Sequence, residues 1–347
     1  MPTLLNRMYK RGYESLNYRL RSIAGGRFAS LCRPVSISFL MTERCNARCV
    51  HCDIWKNRGK EDRANAAVWS VALTDLRRWL GPVHVFFTGG EALLNPDTIG
   101  LVSHAVSLGL HVEVLTHGYW PDQGRIEALA RARPWRITVS LDGVGPAHST
   151  VRGREDFYER TSTTIQTLLR LRRKHGLEYG IRLKTVLMEH NLDAAAGVAE
   201  FAAENGVEVF YQPVEQNYNT PENPEWFLTS ANWPRDTEKA VSVAGSLIEM
   251  KRRGRPIANS FAQLEAIIPY FRDPAALRRV TQAHSAHERR ALCAALSTLQ
   301  FQPNGDVLAC ANMPPVGNVR QARIRDIWVR RPRWWESGCC LEKGARE

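Results

Sequence analysis

The chain has 347 residues, of which 44% are hydrophobic and 24% are charged, and this composition excludes a disordered or fibrous protein and allows one large domain or two modest ones. No apolar run approaches the roughly 18 residues of a membrane span, and the charged N-terminal segment lacks the apolar block of a secretory signal, so we expect a cytoplasmic protein without a membrane span. The net charge of +12 favours an acidic partner, which leaves open nucleic acid, an anionic membrane surface, an acidic redox protein and an acidic substrate.

A basic extension over residues 1–33 precedes the first predicted strand. From Pro34 onward, short runs rich in Val, Ile and Phe alternate with longer segments of helical period, which is typical of repeated β/α units. Parallel strands joined by helices form a barrel or an open doubly wound sheet, and in both the chemistry lies at the C-terminal ends of the strands. The six predicted strands are Val35–Thr42, His84–Thr88, His111–Thr116, Arg136–Ser140, Ile181–Leu187 and Val207–Gln212, and the predicted helices between them are Val71–Leu80, Asp97–Leu108, Arg125–Ala132, Glu159–Lys174 and Ala194–Glu204.

Three cysteines lie directly after the first predicted strand. Cys45, Cys49 and Cys52 have the spacing C-x3-C-x2-C, and in a cytosolic chain such thiols bind metal or act in catalysis more often than they form disulfides. In a short loop they converge on one point, which suits a tetrahedral zinc completed by His51 or Asp53, or one face of an iron-sulfur cube. Three thiolates on a four-iron cluster leave one iron free for a substrate or cofactor. The spacing alone leaves both metal centres open.

Three segments of the chain carry a resemblance to a known family: TERCNARCVHCDIW after the first strand, FFTGGEALLNPD after the second and VSLDG after the fourth. They resemble the radical S-adenosylmethionine (SAM) superfamily over about Val35 to Pro213. The resemblance implies that the three cysteines hold a [4Fe-4S] cluster whose free iron binds SAM, and that reduction cleaves SAM to a 5′-deoxyadenosyl radical that abstracts a substrate hydrogen. We therefore predict an α/β fold with a partial (β/α)6 TIM barrel over residues 34–215.

Further candidate site residues lie at the ends of the strands. Gly89 and Gly90 let backbone approach a ligand, and Glu91 offers a carboxylate to an ammonium group, so the resemblance assigns this segment to the amino group of SAM. Turns, a solvated loop histidine and a surface ion pair are the ordinary alternatives at these positions. The other contacts to SAM or substrate that the resemblance implies are His51, Asp53, Ser140, Asp142, Arg152, Lys184 and Gln212, with weaker signals at His148, Thr185, Asn191 and Pro213.

Residues 216–285 are predicted to form a helical connection that faces the substrate. A loop rich in Asn, Pro and Trp (Pro213–Pro234) is followed by two predicted helices, Asp236–Arg253 and Ser260–Phe271. The aromatic and amide side chains of this loop line a pocket in one interpretation and form a packed surface loop in the other.

A second cysteine group lies in residues 286–347. Two short predicted strands are joined by a turn at Pro303–Asp306, and a helix follows at Ile324–Arg330. A hairpin returns its two ends to one place, so Cys293 and Cys310 can share one metal, and a four-thiolate zinc is one candidate for it. The thiols that would complete this site are Cys339, Cys340 or both, whereas the isolated Cys32 is predicted to be a small buried side chain.

The C-x16-C spacing of this group occurs with the segments QPNGDVLAC, VGNV and IRDIW. Together they resemble the SPASM/twitch extension of radical SAM maturases. The resemblance implies a small cysteine-rich α+β module that binds one auxiliary [4Fe-4S] cluster.

The resemblances imply a radical SAM oxidoreductase or maturase. Its substrate would be a peptide or protein that it matures, or a small metabolite that it oxidises or rearranges. An external one-electron donor is then required, and the basic surface suits an acidic flavodoxin or ferredoxin, so nucleic acid becomes an unlikely partner. The alternative is a basic zinc-binding α/β protein that binds nucleic acid without redox chemistry, and it explains neither the Gly89–Glu91 segment nor the number of β/α units.

Overall fold

The computed structural model describes residues 4–23, 27–57, 62–218, 220–221, 223, 225–274, 293–310 and 313–333. Cys339 and Cys340 lie outside the described residues. Among the helices that are described, none combines the length and the apolar character that crossing a bilayer requires.

The predicted strands are confirmed, and all six pair in parallel. Along the sheet they follow one another in chain order without a reversal. A doubly wound sheet reverses its order at a switch point, whereas a singly wound series keeps every crossover helix on one face and curls toward a barrel. The predicted α/β fold class, with a partial (β/α)6 arrangement, is therefore confirmed. The strands are β1 (Ser36–Leu40), β2 (His84–Thr88), β3 (His111–Thr116), β4 (Arg136–Ser140), β5 (Gly180–Leu187) and β6 (Glu208–Pro213).

The helices between these strands lie close to their predicted positions, and three described helices are additional. The segment predicted as a basic extension contains α1 (Leu4–Ser22), α5 (Pro146–Arg152) lies between β4 and α6 (Phe157–His175), and α8 (Trp226–Thr229) lies within the loop predicted at Pro213–Pro234. Helix α5 could have been predicted from its boundaries. It has Pro146 in its first turn and a left-handed Gly153 at its end, and both are known helix-boundary signals. The helices are α1 (Leu4–Ser22), α2 (Ala66–Leu80), α3 (Thr98–Ser107), α4 (Gly124–Arg131), α5 (Pro146–Arg152), α6 (Phe157–His175), α7 (Ala195–Glu204), α8 (Trp226–Thr229), α9 (Thr237–Arg252), α10 (Phe261–Glu265), α11 (Ile267–Arg272) and α12 (Ile324–Arg330).

The two faces of the sheet differ in chemistry. Apolar side chains such as Val85, Val112 and Ile137 are fully buried in the core of the protein. The alternate residues carry ionic groups, because side chains alternate between faces along a strand. Glu113 on β3 and Arg136 on β4 are paired in register and form an ion pair of 2.6 Å. This side of the sheet therefore carries ionic groups beside aromatic side chains such as Phe86.

The predicted C-terminal hairpin is confirmed and extends the same sheet. Strand β7 (Thr298–Phe301) pairs in parallel with β1, and β8 (Asp306–Leu308) and β9 (Gly317–Asn318) continue in antiparallel pairing. Cys293 precedes β7, and Cys310 follows the antiparallel β8. Both cysteines therefore lie at the end of the sheet where β1 begins, whereas the loop that contains Cys45 follows the other end of β1.

Candidate functional site

The cysteine loop after β1 places its three thiols in one small apolar cluster. Cys49 is 8% exposed and packs with Tyr119 and Phe157, and the partly buried Cys45 and Cys52 pack against the same group. Beyond the end of β1 the backbone stays bonded to the end of β2, where the amide of Met41 donates to the carbonyl of Thr88 at 2.8 Å. The sequence prediction that these thiols lie together at a C-terminal strand end is consistent with this arrangement.

The end of α5 holds the backbone of the cysteine loop. The amide of Arg48 donates to the carbonyl of Arg152 at 3.1 Å, and the amide of Val50 donates to the carbonyl of Val151 at 3.0 Å. Gly153 has φ +74°, and a Cβ there would lie 2.5 Å from the carbonyl oxygen of Arg48. Glycine is required at this position both for its backbone conformation and for the close approach of the loop.

Burial keeps these thiols protonated when no metal neutralises them. It raises the pKa of Cys45 to about 12 and also raises the pKa values of Cys49 and Cys52. Metal ions bind the thiolate, so the site is suited to a centre whose positive charge displaces the protons. Within the described part of the chain, no three His, Cys, Asp or Glu side chains converge as ligands of a single metal ion.

A buried ion pair lies against the thiols. Arg152 Nε donates to Asp142 Oδ2 at 2.7 Å, and Arg152 Nη1 approaches Cys49 Sγ at 3.5 Å. Burial opposes the charge of the guanidinium, but Asp142 and Cys49 outweigh it and raise the pKa of Arg152. The other oxygen of Asp142 accepts from the amide of Val186 at 3.0 Å. The carboxylate is therefore fully engaged within the protein, and it orients a permanent cation toward a thiol.

His148 positions the backbone of Asp142. The amide of Asp142 donates to Nδ1 of His148 at 3.0 Å, so the ring proton is on Nε2, which lies 3.3 Å from Thr161 Oγ1. Burial lowers the pKa of His148 to about 3. His148, which the sequence analysis named as a weaker candidate, is therefore a neutral and fully buried imidazole next to the ion pair.

The Gly89–Glu91 segment packs directly on the strand that leads into the cysteine loop. A Cβ at Gly89 would lie 2.4 Å from the carbonyl oxygen of Thr42, and one at Gly90 would lie 2.3 Å from that of Arg44. The amide of Glu91 donates to the same Arg44 oxygen at 2.8 Å. The two glycines are thus required by contact between two backbones, beyond the needs of a simple turn.

The Glu91 carboxylate is 1% exposed and is held by the end of β3. Its Oε2 accepts from the amide of His117 at 2.8 Å and from Thr116 Oγ1 at 3.0 Å, and its Oε1 accepts from the amide of Leu93 at 3.1 Å. Burial raises the pKa of Glu91 to about 7, in spite of these donors. An ammonium group that reached Glu91 would favour its ionised form.

The sequence analysis missed His117 and Asn46. Nδ1 of His117 accepts from the amide of Tyr119 at 2.9 Å, so Nε2 carries the proton and donates to Asn46 Oδ1 at 2.7 Å. This contact joins the end of β3 to the cysteine loop between Cys45 and Cys49. The available signal was the position of His117 directly after a predicted strand, where active-site groups of parallel sheets collect.

The loop after β6 folds back onto the cysteine loop. The amides of Asn217 and Asn232 donate to the carbonyl of Val50 at 3.2 and 2.9 Å, and the backbone amide of Asp53 donates to Tyr218 at 3.1 Å. An open groove of about 610 Å³ runs beside Val50 and is lined mainly by polar side chains of this loop. The loop is thus both packed on the site and part of a groove.

The remaining predicted contacts lie around the same strand ends. His51 Nδ1 is buried without a hydrogen-bond partner among the described residues, and burial, reinforced by the charge of Arg152, lowers the pKa of His51 to about 4. Ser140 pairs in register with Lys184, and Val186 pairs with Gln212. Burial lowers the pKa of Lys184. A buried orphan nitrogen beside three thiols and a guanidinium fits a site built for a polar ligand.

The second cysteine group has its own buried cation. Arg331 is 3% exposed, and its Nε donates to the carbonyl of Ala295, two residues after Cys293, at 3.0 Å. Its guanidinium carbon lies 3.7 Å from the centre of the Trp328 ring, and Trp328 Nε1 donates to the carbonyl of Cys32 at 2.7 Å. Cys32 is fully buried, so that prediction is confirmed.

Comparisons with known proteins agree with this geometry. The family model described as the Radical SAM superfamily matches residues 39–210. The chain is 24% identical over 313 residues to the AdoMet-dependent heme synthase of Methanosarcina barkeri, which covers 85% of this chain and 82% of that protein. It is 23% identical over 307 residues to the PqqA peptide cyclase of Methylocella silvestris, covering 86% and 75%. The crystal structure of Streptococcus suis SuiB bound to precursor peptide SuiA has a similar fold, with a TM-score of 0.67, 16% identity and coverage of 94% and 71%.

Proposed function

We propose that the chain is a radical SAM enzyme that modifies a peptide by abstracting a hydrogen atom from it, because the radical SAM family model matches residues 39–210. Cys45, Cys49 and Cys52 would hold the [4Fe-4S] cluster that the family implies. When bound, the cluster and SAM supply a carbon radical on reduction by one electron. The observation that carries the proposal is the grouping of these three thiols beside the buried Arg152, inside the segment that the family model matches.

We assign the protein groups around the thiols to binding and positioning. Arg152 stabilises anionic sulfur at Cys49, because a guanidinium in a poorly solvated site attracts the thiolate strongly. The network of Glu91, His117 and Asn46 fixes the cysteine loop against β2 and β3. Glu91 and the adjoining backbone would receive the amino group of SAM.

The remaining assignments concern the rest of SAM and the substrate. His51 would meet adenine through its unpartnered Nδ1, and Asp53 lies in the same loop. Ser140, Lys184 and Gln212 face the lumen at the strand ends, where the sugar of SAM or a polar part of the substrate would bind. Asp142 acts through Arg152 and is a positioning residue.

A peptide substrate is supported by two observations. One relative of this chain is named as a peptide cyclase, and a solved structure of similar fold is that of a protein bound to a precursor peptide. The groove beside Val50 is lined by amides and hydroxyls, among them Asn217 and Asn232, which are suited to hydrogen bonds with a peptide backbone. A small metabolite is the second candidate, because another relative is named as a heme synthase.

We also propose an auxiliary [4Fe-4S] cluster at Cys293 and Cys310, completed by Cys339, Cys340 or both. The support is the placement of Cys293 and Cys310 at one end of the sheet, where the buried Arg331 binds the carbonyl of Ala295 close to Cys293. An external flavodoxin or ferredoxin would supply the electron.

The test is a set of single variants purified without oxygen. Cys45→Ala, Cys49→Ala and Cys52→Ala should each abolish the release of 5′-deoxyadenosine from SAM after addition of dithionite, and should lower the iron content. Cys32→Ala is the matched control, since it removes a buried thiol elsewhere and should retain both. Colourless, zinc-containing wild-type protein that releases no 5′-deoxyadenosine would overturn the proposal and favour the nucleic-acid-binding alternative.

The auxiliary cluster and the substrate class need separate measurements. Cys310→Ala should retain SAM cleavage but lose product formation, and full product yield in this variant would refute the auxiliary role. Short peptides encoded beside the gene are the first substrates to test, with mass spectrometry of the peptide as the readout. Modification of a small metabolite, with every such peptide unchanged, would assign the second substrate class.

A further inference from the structure

A recess lined by arginines lies between α2 and the C-terminal hairpin region. It has a volume of about 300 Å³ and is lined by Arg33, Asp75, Arg78, Trp79, Arg323 and Arg325, a set of residues that we call the arginine recess. Its four arginines come from three places in the chain: the segment before β1, helix α2, and the start of α12. Tertiary packing therefore assembles this concentration of charge, and no single run of the sequence reveals it.

Among the described residues, most of the positive charge of the arginine recess has no ion-pair partner. Arg33 binds two neutral oxygens there, the hydroxyl of Tyr13 and the carbonyl of Trp79, at 3.3 and 3.2 Å. In the described part of the chain, Arg78, Arg323 and Arg325 form no ion pair, and Asp75 is the one acidic side chain that lines the recess. Four cations therefore face one anion at a concave surface.

Three arginines at the end of α9 are examples of surface cations that are paired. Arg252 and Arg253 on α9 both contact Glu249, at 3.7 and 2.9 Å. Arg255 contacts Glu200 at 2.9 Å. The unpaired arginines of the recess are thus unlike these ordinary surface cations, which their own carboxylates screen.

The arginine recess adjoins the second cysteine group through aromatic side chains. Trp79 lines the recess, and its ring centre lies 6.3 Å from that of the buried Trp328. Trp328 in turn contacts Arg331 and the carbonyl of Cys32, and Arg331 binds the segment that begins at Cys293. A protein bound at the recess would therefore lie close to the proposed auxiliary site.

We propose that the arginine recess is the docking surface for an acidic one-electron carrier protein. This inference rests on the proposed function, because a radical SAM enzyme must receive an electron from outside. Complementary charge accelerates the encounter of two proteins and orients the complex, and arginine and tryptophan are enriched in such interfaces. In the transfer, the reduced carrier loses one electron and an iron-sulfur centre gains it, and no bond is made or broken.

The test compares two double variants of equal net charge. Arg78→Glu with Arg325→Glu alters the recess, and Arg252→Glu with Arg253→Glu is the control on α9. Binding of oxidised, fluorescently labelled flavodoxin to the holoenzyme is measured by anisotropy at about 50 mM and about 300 mM salt, since attraction between exposed charges weakens with ionic strength. We expect the recess variant to raise the Kd at low salt by about tenfold or more and the control by about twofold or less. Arg78→Gln with Arg325→Gln should give an intermediate loss.

A second readout separates docking from chemistry. Release of 5′-deoxyadenosine driven by flavodoxin should fall in the recess variant, whereas release driven by dithionite, which needs no docking, should equal that of the wild type. Wild-type affinity in the recess variant, or an equal loss in the control, would overturn the inference. A recess that binds a single-stranded RNA oligonucleotide in preference to flavodoxin would also overturn it. Failure of dithionite to release 5′-deoxyadenosine from the wild type would instead refute the proposed function, and the binding measurement would still stand.

Discussion

Asp142 and Arg152 form an ion pair of 2.7 Å in which the carboxylate is fully buried and the guanidinium is 7% exposed. The pair connects the end of β4 to the cysteine loop, because the same guanidinium approaches Cys49 Sγ. Breaking a buried pair by removing one charge leaves the other charge uncompensated, and this costs much more than breaking a pair at the surface.

Asp142→Asn should lower the free energy of unfolding by about 3–5 kcal/mol, because Arg152 then remains buried without its counter-charge. Urea denaturation measures the change. Asp156→Asn is the matched control, since it disrupts the exposed pair with Arg160 on α6 and should have a much smaller effect. Equal effects of the two substitutions would show that Arg152 is compensated by another group.

Gly153→Ala should displace the cysteine loop and reduce iron incorporation, because the new Cβ would meet the carbonyl oxygen of Arg48 at 2.5 Å. Gly176→Ala is the matched control: Gly176 also ends a helix with positive φ, but its Cβ would meet nothing within 4 Å. The control should lose only the roughly 1–2 kcal/mol of a left-handed backbone and should retain its iron. Iron analysis and urea denaturation distinguish the two variants, and normal iron content in Gly153→Ala would contradict the steric argument.

Glu113 should make the free energy of unfolding depend on pH under acidic conditions. Burial disfavours its charge, but hydrogen bonds from His84 and Arg136, and the charges of both groups, outweigh burial and lower its pKa to about 2. A depressed carboxyl pKa stabilises the folded state above the unfolded value of about 4.5, and this contribution is lost as the pH falls from there toward 2. The shift corresponds to about 3 kcal/mol.

Glu113→Gln tests this dependence. The variant should be less stable than the wild type at pH 6, and the difference should begin to shrink below about pH 4.5 and be largely lost by about pH 3, because protonation of Glu113 removes its stabilising contribution. Urea denaturation across this range gives the two curves. Asp62→Asn, which removes an exposed partner of Arg320, should leave the curve nearly unchanged. Parallel curves for Glu113→Gln and the wild type would contradict the depressed pKa.

Asn232→Ala should loosen the contact between the loop after β6 and the cysteine loop. Asn232 is 6% exposed, and its amide donates to the carbonyl of Val50 at 2.9 Å. Its removal leaves that carbonyl with one donor fewer, at a cost of about 1–2 kcal/mol. Hydrogen exchange should become faster at the amide of Asp53, which binds Tyr218. Asn223→Ala, on the exposed part of the loop, should not change it.

The sequence was sufficient to predict the strands and to identify the cysteine motif and the Gly89–Glu91 segment as candidate site residues. A strand bounded by turns shows a local pattern of apolar residues, which can be read from the sequence. The three thiols are also local, because they lie within eight residues of one another. The parallel order of the strands then places their C-terminal ends together. The candidate site was therefore predictable to the level of which loops form it.

Only the tertiary structure decided how the side chains of these loops are used. Asp142 is engaged by Arg152 and Val186 rather than left open to a ligand, and His117 meets Asn46 across 71 positions of the chain. The same holds for β7, which joins β1 and so places the second cysteine group at the opposite end of the sheet from the first. Local sequence patterns indicate which residues form helices and strands. A contact between distant segments depends instead on how whole elements pack, so no local pattern predicts it.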